Sequence, residues 1–277
     1  MDRIRLLVQL LVAAVSNGYY VGFASGKIFQ GSSKAFCVPG LNCYSCPGAL
    51  GACPIGALQA VANTRNFTIP FYVLGTLMIF GALLGRVVCG WLCPFGLIQD
   101  LLHKIPFPRK IKTFKWDKGL RYVKYGILLF LVILLPMFVV NDYGQGVPWF
   151  CEYLCPSGTL MAGWPLTIAN EGLRGAIGWI FAWKSLILIL LIFLSILIYR
   201  PFCRYLCPLG AIYGGCNKIS LYRYRIDETK CVSCGSCKAA CKMEIDVVKT
   251  PNSGECIRCG KCISACPEGA INGRAKK

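Results

Sequence analysis

The sequence predicts an α-helical integral membrane protein of about four spans, arranged like an inverted repeat, that ends in a small α+β domain held by cysteines. Three observations carry this reading. Mean hydropathy is +0.56 over 277 residues, too apolar for an ordinary soluble chain. Four apolar stretches are long enough to cross a hydrocarbon core of roughly 30 Å, which takes about 20 residues. Nineteen cysteines fall almost entirely in short, recurring spacings.

In order, the chain opens on a short basic start, Met1 to Arg5. Leu6 to about Ala24 is the first apolar segment, interrupted by Ser16 and Asn17. Its most apolar part has the length of a signal-peptide core, but no small-x-small cleavage site follows, so an uncleaved helix is expected. A loop with Cys37, Cys43, Cys46 and Cys53 comes next. Ile69 to Val88 is the second span and runs straight into Cys89-Gly-Trp-Leu-Cys93-Pro94. A basic segment from His103 to Lys124 follows, with Pro106 and Pro108 as breakers. Tyr122 to Val140 is the third span and leads to Cys151-Glu-Tyr-Leu-Cys155-Pro156. Residues 157–182, interrupted by Gly163, Pro165 and Glu171, read as a re-entrant or interfacial segment. Trp183 to Tyr199 is the fourth span and runs into Cys203-Arg-Tyr-Leu-Cys207-Pro208. Residues 1–215 are the expected membrane domain and 216–277 the C-terminal domain.

Charge sets the orientation. Twenty-five of the thirty Lys and Arg lie before the first span, between the second and third, or after the fourth. The positive-inside rule makes that side cytoplasmic, with both termini inside. The same placement beside spans turns the net charge of +18 away from a nucleic-acid partner and toward the membrane surface.

The C-terminal domain carries two matched runs. One is Cys231-x2-Cys234-x2-Cys237-x3-Cys241, the other Cys256-x2-Cys259-x2-Cys262-x3-Cys266-Pro267. This is the spacing of a bacterial two-cluster ferredoxin, in which the fourth cysteine of each run ligates the other cluster. Cluster I is therefore assigned to Cys231, Cys234, Cys237 and Cys266, and cluster II to Cys256, Cys259, Cys262 and Cys241. Zinc does not need a duplicated run of this kind. Lys242 stands where the first run would carry proline.

The remaining cysteines repeat too. Cys53-Pro-Ile-Gly, Cys93-Pro-Phe-Gly, Cys155-Pro-Ser-Gly and Cys207-Pro-Leu-Gly share the form C-P-x-G, each after one apolar span. Motifs after odd spans face out and motifs after even spans face in, as in an inverted-topology repeat. The inner face gathers Cys89, Cys93, Cys203 and Cys207, four thiolates for one 4Fe-4S cluster. The outer face gathers Cys46, Cys53, Cys151 and Cys155, with Cys43 and Cys37 as substitutes. Two other uses stay open: thiol or structural cysteines inside, and disulfides on the outer face. Cys216 has no partner spacing and reads as a buried small residue.

Other features are plainer. His103 is the only histidine, which excludes bis-histidine haem within this chain. Trp91, Tyr153, Trp164, Trp179 and Trp183 fit an aromatic belt. Asp100 and Glu152 are the acids nearest the inner and outer motifs, and interfacial solvation accounts for them. No G-x-G-x-x-G after a strand and no P-loop is present, so no nucleotide site is expected. No residue is assigned a catalytic role.

On Cys89 to Gly96, Cys203 to Gly210 and Cys231 to Pro267, the chain resembles the NapH/NosR/CcoG family of membrane iron-sulfur proteins. The resemblance covers most of residues 70–277. It implies a four-span quinol dehydrogenase or electron-transfer subunit of a larger membrane complex, with a cytoplasmic ferredoxin tail. The outer cysteines depart from a simple quinol-oxidising member and favour a relay through the membrane. The expected cofactors are two 4Fe-4S clusters in the ferredoxin domain, one or two more in the membrane domain, and quinone as an option. The expected donor is a cytoplasmic ferredoxin or flavoprotein, and the acceptor an extracytoplasmic flavin or thiol redox protein. A quinol dehydrogenase and a redox or metal assembly factor are the alternatives. Distance is the difficulty for a relay: the two faces stand roughly 30 Å apart, and electron tunnelling falls steeply with separation.

Overall fold

Long apolar runs make most of the two longest helices. In the computed structural model, which describes residues 2–62, 71–139, 147–175 and 177–275, Asp117–Phe138 and Trp179–Leu197 are long and apolar enough to cross a membrane. Leu129, Phe130, Leu186, Ile189, Leu190 and Phe193 stand exposed on them. Just before Pro136, whose ring and missing N–H crowd the ordinary ladder, Leu128–Leu134 winds as a π-helix.

The four expected spans are not all helices of that length. The first is Asp2–Ser16, 15 residues, and a short helix Val21–Ser25. It stops where Ser16 and Asn17 turn their side chains back onto the carbonyls of Val12 and Ala13. The second is Phe71–Leu83, 13 residues, ended by Gly85 at φ +56°. Its expected start at Ile69 and the expected third-span end at Val140 lie outside the described residues. Residues 157–182, of which 176 is also outside, open as a chain of short helical pieces as far as Glu171–Arg174 before the last long helix begins at Trp179.

Each C-P-x-G motif is a helix start. Proline opens Pro54–Ala62, Pro94–Lys104, Pro156–Gly158 and Pro208–Cys216. There its fixed φ suits the first turn and its missing N–H has no carbonyl to reach. The three Cys-x3-Cys motifs are five-residue π-turns, Val88–Leu92, Phe150–Leu154 and Phe202–Leu206. The Cys155 N–H closes onto Phe150 O at 2.8 Å and that of Cys207 onto Phe202 O at 2.9 Å. The second cysteine of each then turns extended, Cys155 at φ −70° and ψ 109° and Cys207 at φ −74° and ψ 113°. The sequence period thus becomes a wide turn carrying a thiol near each end.

The C-terminal domain is α+β, as expected. Strands Tyr222–Ile226 and Ile271–Ala275 pair antiparallel, Tyr222 opposite Ala275 and Ile226 opposite Ile271. Two short helices, Ser236–Ala240 and Lys261–Ser264, lie between them. Gly235 and Gly260 precede them at φ +75° and +80°, a left-handed turn that glycine makes without strain.

This domain shares a core with the helices. Val88, Phe95, Phe202 and Tyr213 pack in one cluster with Met243, Ile245 and Ile257. Glu255 pairs with Arg86 at 3.1 Å and with Lys124. Asn217 Nδ2 donates to the carbonyls of Ser253 and Cys256 at 2.9 and 2.8 Å. At Gly90 the chains touch so closely that a Cβ would lie 2.2 Å from Ile257 O. Gly90→Val is therefore expected to destabilise the protein by about 1–3 kcal/mol and to free the C-terminal domain to protease. Melting and limited proteolysis of the purified chain check this; wild-type behaviour in both would refute the contact.

Candidate metal centres

Two buried arginines frame the inner cysteines. Arg86 stands three residues before Cys89, yet its Nη2 donates to Cys203 O at 3.0 Å. Arg200 stands three before Cys203, and its Nη1 donates to Cys89 O. The halves are crossed through their guanidinium groups. A Cβ on Gly96 would meet Arg200 Nη1 at 3.2 Å, and one on Gly210 would meet Arg86 Nη2 at the same distance. Here the glycine of C-P-x-G makes room for the opposite arginine. Asp100 holds Arg200 at 2.6 Å and Arg5 at 3.2 Å. Asp100 is thus buried in an ion pair, not solvated at an interface as the sequence suggests. Gln99 completes the site: Nε2 donates to Cys203 Sγ at 3.2 Å, and Oε1 accepts from Phe202 N at 3.2 Å. Cys207 interacts electrostatically with Cys203, Cys89 and Cys93, so all four thiols share one neighbourhood.

The outer half repeats this construction. Gln59 Nε2 donates to Cys151 Sγ at 3.2 Å, and its Oε1 accepts from Phe150 N at 3.1 Å. Lys184 Nζ donates to Cys151 O at 3.1 Å, the role arginine fills inside. Cys37, Cys43, Cys53, Cys151 and Cys155 line one cavity of about 810 Å³. Cys46 is not among its lining residues; its thiol faces Asn17 Oδ1 at 3.5 Å. Cys43, a substitute in the sequence reading, lines that cavity, with its Sγ 3.6 Å from where a Gly158 Cβ would be. Glu152 is half-buried and His103 is buried, edge-on to Tyr199.

The inner and outer groups are neighbours. The Leu41 backbone lies beside the Cys93 thiol and that of Asn42 beside the Cys53 thiol. One peptide unit of the same loop therefore separates the backbone at one thiol from the backbone at the other. Tyr213, fully buried with its hydroxyl on Pro39 O at 3.0 Å, feels Cys89, Cys93 and Cys53 alike.

In the C-terminal domain, Cys231, Cys234, Cys237 and Cys266 line one small cavity, and Cys241, Cys256, Cys259 and Cys262 line another. Those are the two sets the spacing predicts. Lys242 lines the second cavity, its Nζ 5.2 Å over the Tyr199 ring. Burial and neighbouring sulfurs push the Cys256 thiol up to about 11 and Cys262 up to about 12, so metal binding there must displace protons. Among the described residues no three His, Cys, Asp or Glu side chains converge to hold one metal ion. Thiols ringed around a cavity suit a polynuclear cluster better than a single zinc.

The sequence reading missed Gln59, Gln99, Arg86, Arg200 and Lys184. A signal existed for the first four: glutamine six residues after Cys53 and Cys93, and arginine three before Cys89 and Cys203. Lys184 has no such signature.

Comparison with known proteins agrees with the geometry. One 4Fe-4S binding domain family matches twice, at residues 66–114 and 177–224, around the two inner motifs. A second 4Fe-4S binding domain family matches residues 250–272. The ferredoxin-type protein NapH of Haemophilus influenzae is 31% identical over 65% of this chain and 55% of NapH. YccM of Escherichia coli is 31% identical over 64% of this chain and 47% of YccM. The chain is thus similar to NapH- and NosR-like ferredoxin-type proteins and carries 4Fe-4S binding domains. An uncharacterized protein of Methanocaldococcus jannaschii is 28% identical over 69% of this chain and 68% of its own length. No solved structure matches. The chain is a ferredoxin-type electron-transfer protein that holds 4Fe-4S clusters.

If Cys43 is the fourth outer ligand, Cys43→Ser is expected to remove about four iron atoms per chain and Cys46→Ser none. Iron analysis of anaerobically purified variants decides; the reverse pattern would return that position to Cys46.

Proposed function

We propose that the chain conducts electrons across the cytoplasmic membrane, from a cytoplasmic ferredoxin or flavoprotein to an extracytoplasmic flavin or thiol redox protein. Four spans, with both termini and the ferredoxin domain inside, are part of this reading. The bias of lysine and arginine to one side supports that topology. Bound 4Fe-4S clusters supply one-electron transfer without atom transfer. The chain's own residues supply contact order. Cys256 and Cys259 flank Ile257 and Arg258; Ile257 presses on Gly90 beside Cys89, and Trp91 Nε1 donates to Arg258 O at 3.0 Å. From the inner group, Leu41 and Asn42 lead to Cys53.

That last contact is the observation that carries the proposal. A relay between two membrane faces fails when its stations are a bilayer apart. Here adjacent residues of one loop lie beside thiols of both groups, and buried Tyr213 is in electrostatic reach of both, which supports a continuous path without an extra carrier. The apolar walls of the outer cavity, among them Ala57, Val61, Val73, Leu166 and Phe181, also suit a quinone ring. A quinol dehydrogenase of the NapH type is therefore the second reading, and it requires inhibition by a quinone analogue.

Iron and acid-labile sulfide in anaerobically purified protein are expected near sixteen per chain, from about eight in the ferredoxin domain and eight in the helical part. Cys151→Ser should lower both by about four and abolish electron transfer across sealed vesicles while the ferredoxin spectrum persists. Undiminished transfer would sink the proposal.

A further inference from the structure

The two membrane-domain centres are built on one plan, so their differences are informative. At the inner centre, both cations on cysteine carbonyls are matched by carboxylates: Arg86 by Glu255 at 3.1 Å, Arg200 by Asp100 at 2.6 Å. Two and four residues after Cys207 stand Leu209 and Ala211, which offer no donor. At the outer centre, Lys184 takes the arginine's place on Cys151 O. It interacts electrostatically with Cys43 and Cys155, and among the described residues no carboxylate pairs with it. Lys34 is a second cation there, its Nζ on Phe29 O at 2.9 Å and in reach of Cys43 and Cys46. At the positions of Leu209 and Ala211 stand Ser157 and Thr159. The Ser157 hydroxyl is engaged with Met161 Sδ at 3.3 Å. Thr159 lines the cavity, and its Oγ1 is buried with no hydrogen-bond partner among the described residues.

We propose that Lys184 and Thr159 are positioning residues that hold the outer centre at a higher reduction potential than the inner one, so that electrons run outward. The inference rests on reading Cys43, Cys53, Cys151 and Cys155 as cluster ligands. A cluster on four thiolates is already an anion, and reduction adds another negative charge. A nearby unpaired ammonium favours the reduced state, and a hydroxyl donating to sulfur does the same. An arginine neutralised by its own carboxylate does so far less.

The test is an anaerobic redox titration of the full chain followed by EPR. Signals are assigned by their loss in Cys151→Ser (outer) and Cys203→Ser (inner). The outer signal is expected to titrate above the inner one. Lys184→Met and Thr159→Ala should each move the outer midpoint down, Lys184→Arg should keep it near wild type, and the ferredoxin signals should stay put. An outer midpoint at or below the inner one overturns the inference. So does an intact outer signal that neither Lys184→Met nor Thr159→Ala moves. If Lys184→Met fails to assemble, the wild-type order and Thr159→Ala still decide. Absence of any signal that Cys151→Ser removes is a different result: it defeats the outer centre itself, and the proposed relay with it.

Discussion

Two buried guanidinium groups hold this structure together. Arg86 and Arg200 each reach across to the cysteine carbonyl of the other half, and both are fully buried. A buried cation is costly unless a carboxylate and good hydrogen bonds meet it. Asp100 meets Arg200 and also gathers Arg5 from the N-terminal helix. Glu255 meets Arg86 and comes from the C-terminal domain. Satisfying the two arginines therefore docks the first helix on one side and the ferredoxin on the other. The inner cysteines stand at the crossing, so the same ion pairs that assemble the fold fix the distance between the ferredoxin and the nearest cysteine group of the helical part.

The second constraint is repetition. Three π-turns present paired cysteines, prolines open the helices that follow, and a glutamine clamps a thiol and a backbone N–H in each half. A glutamine is suited to this, because its amide donates and accepts at once. It locks the cysteine turn of one motif to the helix of another, so neither can shift alone. What varies between halves is charge. The inner half uses arginine with a matching acid, the outer half lysine without one among the described residues.

The grouping of cysteines was legible because cluster chemistry dictates spacing: the two matched runs mark the two sets that line the C-terminal cavities. Which of Cys43 and Cys46 lines the outer cavity was not legible. Cys43 and Cys46 share one short loop, and only the turn of that loop, which aims Cys46 at Asn17, separates them. Helix length was not legible because hydropathy sees composition and not helix ends. The side chains of Ser16 and Asn17 stop one helix, and the left-handed Gly85 stops another. Asp100 looked like a surface acid because its partner lies a hundred residues away at Arg200.

The loop from Val38 to Cys43 shows why the two groups of thiols in the helical part can be so close. Leu41 and Asn42 are almost wholly buried, yet past Val38, whose N–H reaches Ala52 O at 3.0 Å, the loop is irregular. Buried backbone polar groups need partners. Here the Tyr213 hydroxyl serves the Pro39 carbonyl, and the Cys93 and Cys53 thiols lie beside the Leu41 and Asn42 backbone. The two groups of thiols can be neighbours because this loop lies deep against both. Gly40 fits that arrangement, since a Cβ there would press within 3.0 Å of Cys93 Cα.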